Sequence, residues 1–352
     1  MPKSGRILRI TLVLALAAGV AALAVAGAGA APAKRSDQTL TGAGSTLIAP
    51  AFAVWQPLYG AARGVTVNYS GIGSGGGIAA IIARTVDFGA SDAPMSPDQF
   101  SACNGCVQIP WALSATVPTY NLPGIPSTKL KLNGPVLANI FLGKITTWDD
   151  PAIKALNAGL SLPSTKITVV HRSDGSGDTY AFTDYLSHIN ADWRNNFGTS
   201  TAVNWPTGVG GKGNPGVAAL IGSTPGAIGY ISVAYDLQNH LSIARMRNAS
   251  GHFTLPSVAS IAQAASTVTQ VPANNQMSIV NPPHSKKYAN AWPLSTFTYI
   301  IVPTSTPKAK ELKNFITWAI THGYAPIKKL VFAPLPLVVI KADNKSLAQI
   351  HS

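Results

Sequence analysis

Glycine, serine and threonine cluster in three short segments whose chemistry suits a bound oxyanion: residues 41–47 (TGAGSTL), 71–77 (GIGSGGG) and 172–179 (RSDGSGDT). Each falls where a helical pattern begins. A helix N-terminus offers unpaired backbone N–H groups and a partial positive charge. Glycine lets an oxygen approach that backbone closely, and a serine or threonine hydroxyl adds a donor. One such loop says little; three in one chain are a specific signal. The third also carries Arg172, whose planar guanidinium matches a tetrahedral oxyanion better than an ammonium group does. Asp92, in the turn ASDAP, could receive a proton from a protonated ligand. Taken singly, Asp92 reads as a turn cap and Arg172 as a surface ion-pair residue.

Other chemistries fit these residues less well. Gly71, Gly73 and Gly76 spell the dinucleotide-binding pattern G-x-G-x-x-G, with Asp92 about twenty residues on. That reading leaves the other two loops unexplained and conflicts with an exported chain. A nucleotide phosphate loop is also excluded, since Gly211-Lys212 is followed by glycine and position 206 is proline. His171, Asp174 and Ser176 are the residue types of a hydrolase, but nearness in sequence does not make a triad. No paired glutamates, metal-ligand cluster or nucleophile elbow stands beside them.

Composition narrows the ligand further. The chain has 26 Lys+Arg against 13 Asp+Glu, a formal net charge of +13. Such a surface concentrates anions, yet the cations are scattered and not interleaved with aromatics, which argues against nucleic acid. The first residues carry a basic head (Lys3, Arg6, Arg9), an apolar run from Ile10 to about Val25, and small residues through Ala33. This is the grammar of a cleaved signal peptide over 1–33, with no cysteine to take a lipid anchor. Localisation is therefore expected to be periplasmic. Cys103 and Cys106, with two residues between them, lack the further ligands a zinc site needs. In that compartment they read as a loop-closing disulfide without a catalytic role.

The elements that must position the loops follow from periodicity. Short β-branched runs alternate with amphipathic stretches, which argues for α/β architecture with mainly parallel strands. Strands are expected over 64–69, 166–170 and 296–302, and helices over 78–86, 178–189 and 309–321.

With these motifs in order, the chain resembles the periplasmic phosphate-binding proteins of phosphate-specific ABC transporters. The likeness runs through TGAGST (41–46), NYSGIGSGGG (68–77), VDFGASDAPMS (86–96), LGKITTWDDPAI (142–153), RSDGSGDT, GGKGNPG (210–216) and PGAIGY (225–230). It implies a two-lobed periplasmic-binding-protein fold of type II, with the ligand cleft between lobes joined by crossover strands. Lobe I would comprise 37–115 plus 291–352, and lobe II 116–290. The implied activity is binding of inorganic phosphate by hydrogen bonds, without metal or cofactor, and its delivery by a monomer to membrane permease subunits. No enzymatic activity is implied.

Carried over by motif, Thr46 donates its hydroxyl and Leu47 its N–H, Ser74 gives hydroxyl and backbone donors, and Asp92 accepts the ligand's proton. Arg172 supplies the charged fork, oriented by Asp174, and Ser176 and Gly177 close the third loop. The family often has an aromatic residue at position 47, where leucine keeps the main-chain donor. At position 178 the best-known family pattern has threonine, and here it is aspartate. Two readings stand: Asp178 faces the ligand and favours its doubly protonated form, or it caps the helix.

Overall fold

The computed structural model describes residues 38–352; the signal-peptide expectation for 1–33 lies outside them. Twelve strands run through this part: β1 Thr39–Gly44, β2 Thr66–Gly71, β3 Phe88–Ser91, β4 Cys106–Asn121, β5 Lys131–Leu132, β6 Thr168–Arg172, β7 Val209–Gly211, β8 Ala227–Ser232, β9 Ser242–Ile243, β10 Arg245–Arg247, β11 Phe253–Thr254 and β12 Ser295–Pro303. Nine form one curled sheet in the order β2-β1-β3-β12-β4-β8-β6-β7, with β9 beside β4.

The sixteen-residue β4 unites the molecule. Its first half pairs antiparallel with β12, from Pro303↔Cys106 to Ser295↔Ala115, and its second half pairs with β8, from Thr116↔Ser232 to Asn121↔Ala227. Parallel pairs lie on either side, β2-β1-β3 at one end and β8-β6-β7 at the other. The sheet is therefore mixed rather than mainly parallel. Two parallel α/β lobes share one strand, and the antiparallel pairings β3-β12-β4-β8 are the crossover that joins them.

Each lobe has an aromatic core. At the β1 end, Phe52, Tyr69, Phe88, Trp111 and Phe315 pack together, the Phe52 and Tyr69 rings stacking 3.8 Å apart. At the β6 end, Phe141, Phe182, Trp205 and Tyr230 do the same, with Phe182 and Tyr230 rings 4.4 Å apart. Burying one such side chain stabilises a fold by about 1.5–3 kcal/mol, so each lobe has its own reason to stay intact.

The expected strands and helices are present, with shifted ends. The second helix covers Ser74–Ile82 rather than 78–86. It starts inside the glycine run and stops before Arg84, whose φ of 54° is left-handed. The helix expected over 309–321 is observed as Ala309–Thr321. Cys103 and Cys106 are joined as a disulfide. Among the described residues no helix is long and apolar enough to cross a membrane.

Candidate functional site

The three glycine-rich loops converge where the lobes meet. β1 ends at Gly44, whose φ of +146° is a region that L side chains rarely adopt. Its carbonyl accepts the N–H groups of Ile72 and Gly73 at 2.9 and 2.8 Å, which pins the first loop to the second. Helix Ala49–Arg63 begins directly after the first loop, and helix Gly177–Ile189 emerges from the third. Across the cleft Gly75 N donates to Gly175 O at 2.9 Å, and Gly177 N donates to Ser74 Oγ at 3.0 Å. The approach is close enough that a methyl group on Gly177 would overlap the Asp92 side chain, its Cβ falling 2.5 Å from Asp92 Oδ2. These glycines serve contact between lobes, not loop flexibility.

Asp92 follows β3 and is buried. Its Oδ2 accepts from Ser45 Oγ, and its main-chain N–H donates to Ser74 Oγ at 3.2 Å. Its Oδ1 is buried with no hydrogen-bond partner. Burial, and then the nearby Asp178 charge, push the Asp92 carboxyl up to about 7, against the lowering influence of Ser45, Thr298 and Arg172. An acceptor of this kind, held in a cleft and lacking a donor, is suited to a ligand that brings its own proton.

Arg172, at the end of β6, is also buried. Its Nε and Nη2 fork onto Asp174 at 2.8 and 2.6 Å, and its Nη1 lies 3.4 Å from Asp178 Oδ2. A guanidinium has five N–H donors, so two remain for other acceptors. Burial disfavours its charge, but Asp174 and Asp178 outweigh that and raise its pKa. Burial likewise opposes ionisation of Asp174, yet Arg172 and the Gly213 N–H hold its carboxyl below the usual range. Asp174 thus holds the guanidinium by two of its N–H groups.

Ser176 caps its helix, its Oγ accepting from Thr179 N at 3.2 Å. Asp178 caps nothing. Its Oδ1 accepts from Thr116 Oγ1 at 2.8 Å and its Oδ2 from Asn214 Nδ2 at 2.7 Å, besides the Arg172 contact. Burial raises its pKa, while Arg172, Asn214 and Thr116 pull it back. The Leu47 N–H, expected to be a ligand donor, is engaged by Ser45 Oγ at 2.9 Å. Thr46 Oγ1 accepts from both Asn214 N and Nδ2, at 3.2 and 2.9 Å.

Ser45, Thr116 and Asn214 belong to this cluster and were not singled out from sequence. Ser45 and Asn214 lie inside segments already flagged, TGAGST and GGKGNPG. Asn214 begins a helix after a glycine-rich strand end, the same signal the other three loops gave. Nothing in the sequence around Thr116 marks it. The possible hydrolase residues do not assemble: among the described residues His171 bonds Arg172 O through Nδ1 and stacks on Trp205, while Asp174 is committed to Arg172. No group of three or more potential metal ligands occurs among the described residues.

A two-lobed fold with helix N-termini, a buried arginine and an unpartnered carboxylate at the lobe junction defines a class of anion-binding proteins. Residues 28–322 match the model of the PBP superfamily domain. The phosphate-binding protein PstS of Xylella fastidiosa (strain Temecula1) is 43% identical over 305 residues, covering 86% of this chain and 83% of that protein. PstS of Haemophilus influenzae is 42% identical over 305 residues, 86% of this chain and 90% of the relative. The chain belongs to the PstS phosphate-binding proteins of the PBP superfamily. Solved structures share the fold: a high-affinity periplasmic phosphate-binding protein with phosphate bound at pH 8.5 superposes with a TM-score of 0.72 at 22% identity, over 88% of this chain and 93% of that one. A phosphate-binding protein from Stenotrophomonas maltophilia gives 0.66 at 19% identity, with the same coverage.

Proposed function

We propose that this protein binds one inorganic phosphate between its lobes, outside the cytoplasm, and hands it to the permease subunits of an ABC importer. It works as a monomer exported by a cleaved signal peptide over 1–33, and it performs no chemistry on its ligand. Lobe I is 37–115 with 291–352, and lobe II is 116–290. The observation that carries this reading is the pairing of Asp92 Oδ1, buried and unpartnered, with a buried Arg172 that keeps two N–H donors uncommitted.

In this reading the ligand's negative oxygens receive Arg172, the Thr46 and Ser176 hydroxyls, Ser74 and the N–H groups at the starts of the helices, the Gly177 N–H among them once it releases Ser74 Oγ. Asp92 takes the ligand's proton. Leu47 can offer its N–H only by releasing Ser45 Oγ. Asp178, tied to Thr116, Asn214 and Arg172, acts on the ligand chiefly by holding Arg172 in place. The ligand is held by hydrogen bonds from these donors, without a metal.

A ligand that touches both lobes stabilises the closed arrangement over an open one, and only such differential contact closes a hinge. Small-angle scattering of phosphate-stripped protein should show the radius of gyration falling when phosphate is added. An unchanged radius at saturating phosphate would contradict binding between the lobes.

A further inference from the structure

Asn214 is fully buried at the start of helix Gly213–Ser223, on the opposite side of the cleft from Thr46. Its amide is oriented by its own contacts. Oδ1 accepts the Ser232 N–H at 2.8 Å, so Nδ2 must face the other way. The two Nδ2 protons then go to Thr46 Oγ1 at 2.9 Å and to Asp178 Oδ2 at 2.7 Å. The Asn214 main-chain N–H also reaches Thr46 Oγ1, at 3.2 Å. Gly213, in the left-handed region with φ of +66°, shapes this turn and gives its own N–H to Asp174 at 2.9 Å.

A hydroxyl has one proton and two acceptor positions. At Thr46 both acceptor positions face N–H groups of Asn214, so its proton has to be given to something else. In the cleft that something is an anion. We infer that Asn214 is a positioning residue with two effects: it fixes the Thr46 hydroxyl as a donor toward the ligand, and it latches the lobes by joining Thr46 to Asp178 through one amide. The inference rests on the phosphate reading above and adds a residue to it. A merely structural amide would support Ser232 and Asp178, and its loss would be felt independently of the Thr46 hydroxyl.

The test is a double-mutant cycle on phosphate affinity with Asn214→Ala, Thr46→Val and the combined variant, by calorimetry, with dissociation rates by stopped flow. If Asn214 acts through Thr46, each single variant weakens binding on the order of tenfold or more, and the combined loss falls well short of the product of the two. The loss appears mainly as faster dissociation, as expected for a latch. Asn214→Asp, which cannot donate and would draw the Thr46 proton to itself, should weaken phosphate more than Asn214→Ala does. If Asn214→Ala is too unstable to assay, Asn214→Ser takes its place in the cycle. Single losses that multiply, or an Asn214→Ala protein with parental affinity, would overturn the inference while leaving the phosphate reading intact. Absence of phosphate binding by the parent protein would remove both.

Discussion

Phosphate and sulfate share size and tetrahedral shape, and near neutral pH they differ in that phosphate keeps a proton. An ionised Asp92 accepts that proton, whereas against sulfate it leaves two acceptors facing each other. A hydrogen bond to a charged group contributes about 1.5–3 kcal/mol, and stranding a buried charge costs more, so one carboxylate can set the preference. Burial holds the Asp92 carboxyl at about 7, and this makes the preference depend on pH. Below that value Asp92 carries a proton that it can donate to sulfate; above it the carboxylate only accepts. Sulfate exclusion should therefore strengthen as pH rises through about 7. Asp92→Asn, whose amide donates at every pH, should lower the phosphate-to-sulfate affinity ratio on the order of 10- to 100-fold and flatten its pH dependence, as read by competition dialysis. An unchanged ratio would assign the preference elsewhere. Asp92 and Arg172 were legible in sequence because their motifs carry them. Thr116 was not, because its place in the site comes from the register of β4 against β8, which no local pattern reveals.

At the scale of elements, periodicity located strands and helices but misjudged what glycine was for. The segment 71–77 read as a loop ahead of a helix over 78–86, yet the helix starts at Ser74 within it. The reason is tertiary: Gly75 lies against Gly175, and Gly77 against Gly44 and Ala90, so side chains there would force the loops apart. The mixed sheet escaped notice for a similar cause, since β12 throughout and β4 between its end residues are buried and carry no alternation to betray their direction. Helix Leu337–Ala348 carries a second feature invisible in sequence. Asp343 on it is buried with neither carboxyl oxygen hydrogen-bonded, and burial pushes it up to about 8. Its folded pKa lies above the unfolded one, so the folded state holds the proton longer and stability falls as pH rises through that interval. Burial also raises Asp92 and Asp236, each to about 7, and raises Asp178, so they share the slope. Between about 7 and 8 Asp343 contributes to the slope, with a limit of about 1.4 kcal/mol per pH unit. Thermal unfolding of ligand-free protein should show this decline in the parent and a shallower one above about 7 in Asp343→Asn. A parental profile in the variant would show that Asp343 does not titrate there.

For the molecule as a whole, an aromatic cluster lies on either side of the shared strand β4, and the apolar core runs on through the strands that join them. The sequence pattern and its family resemblance made the two-lobed architecture legible; the contacts that cross the cleft were not, because they join residues more than a hundred positions apart, as Ser74 with Gly177 and Thr46 with Asn214. The net charge of +13 draws anions toward the surface without selecting among them. Selection is left to the cleft, where protons and donors are counted one by one. Calorimetric titration of the mature, phosphate-stripped protein with phosphate and then sulfate, about one pH unit above the Asp92 value of about 7, tests this most directly. The account predicts tight one-to-one phosphate binding and sulfate weaker by on the order of 100-fold or more. Sulfate binding as tightly as phosphate would contradict it.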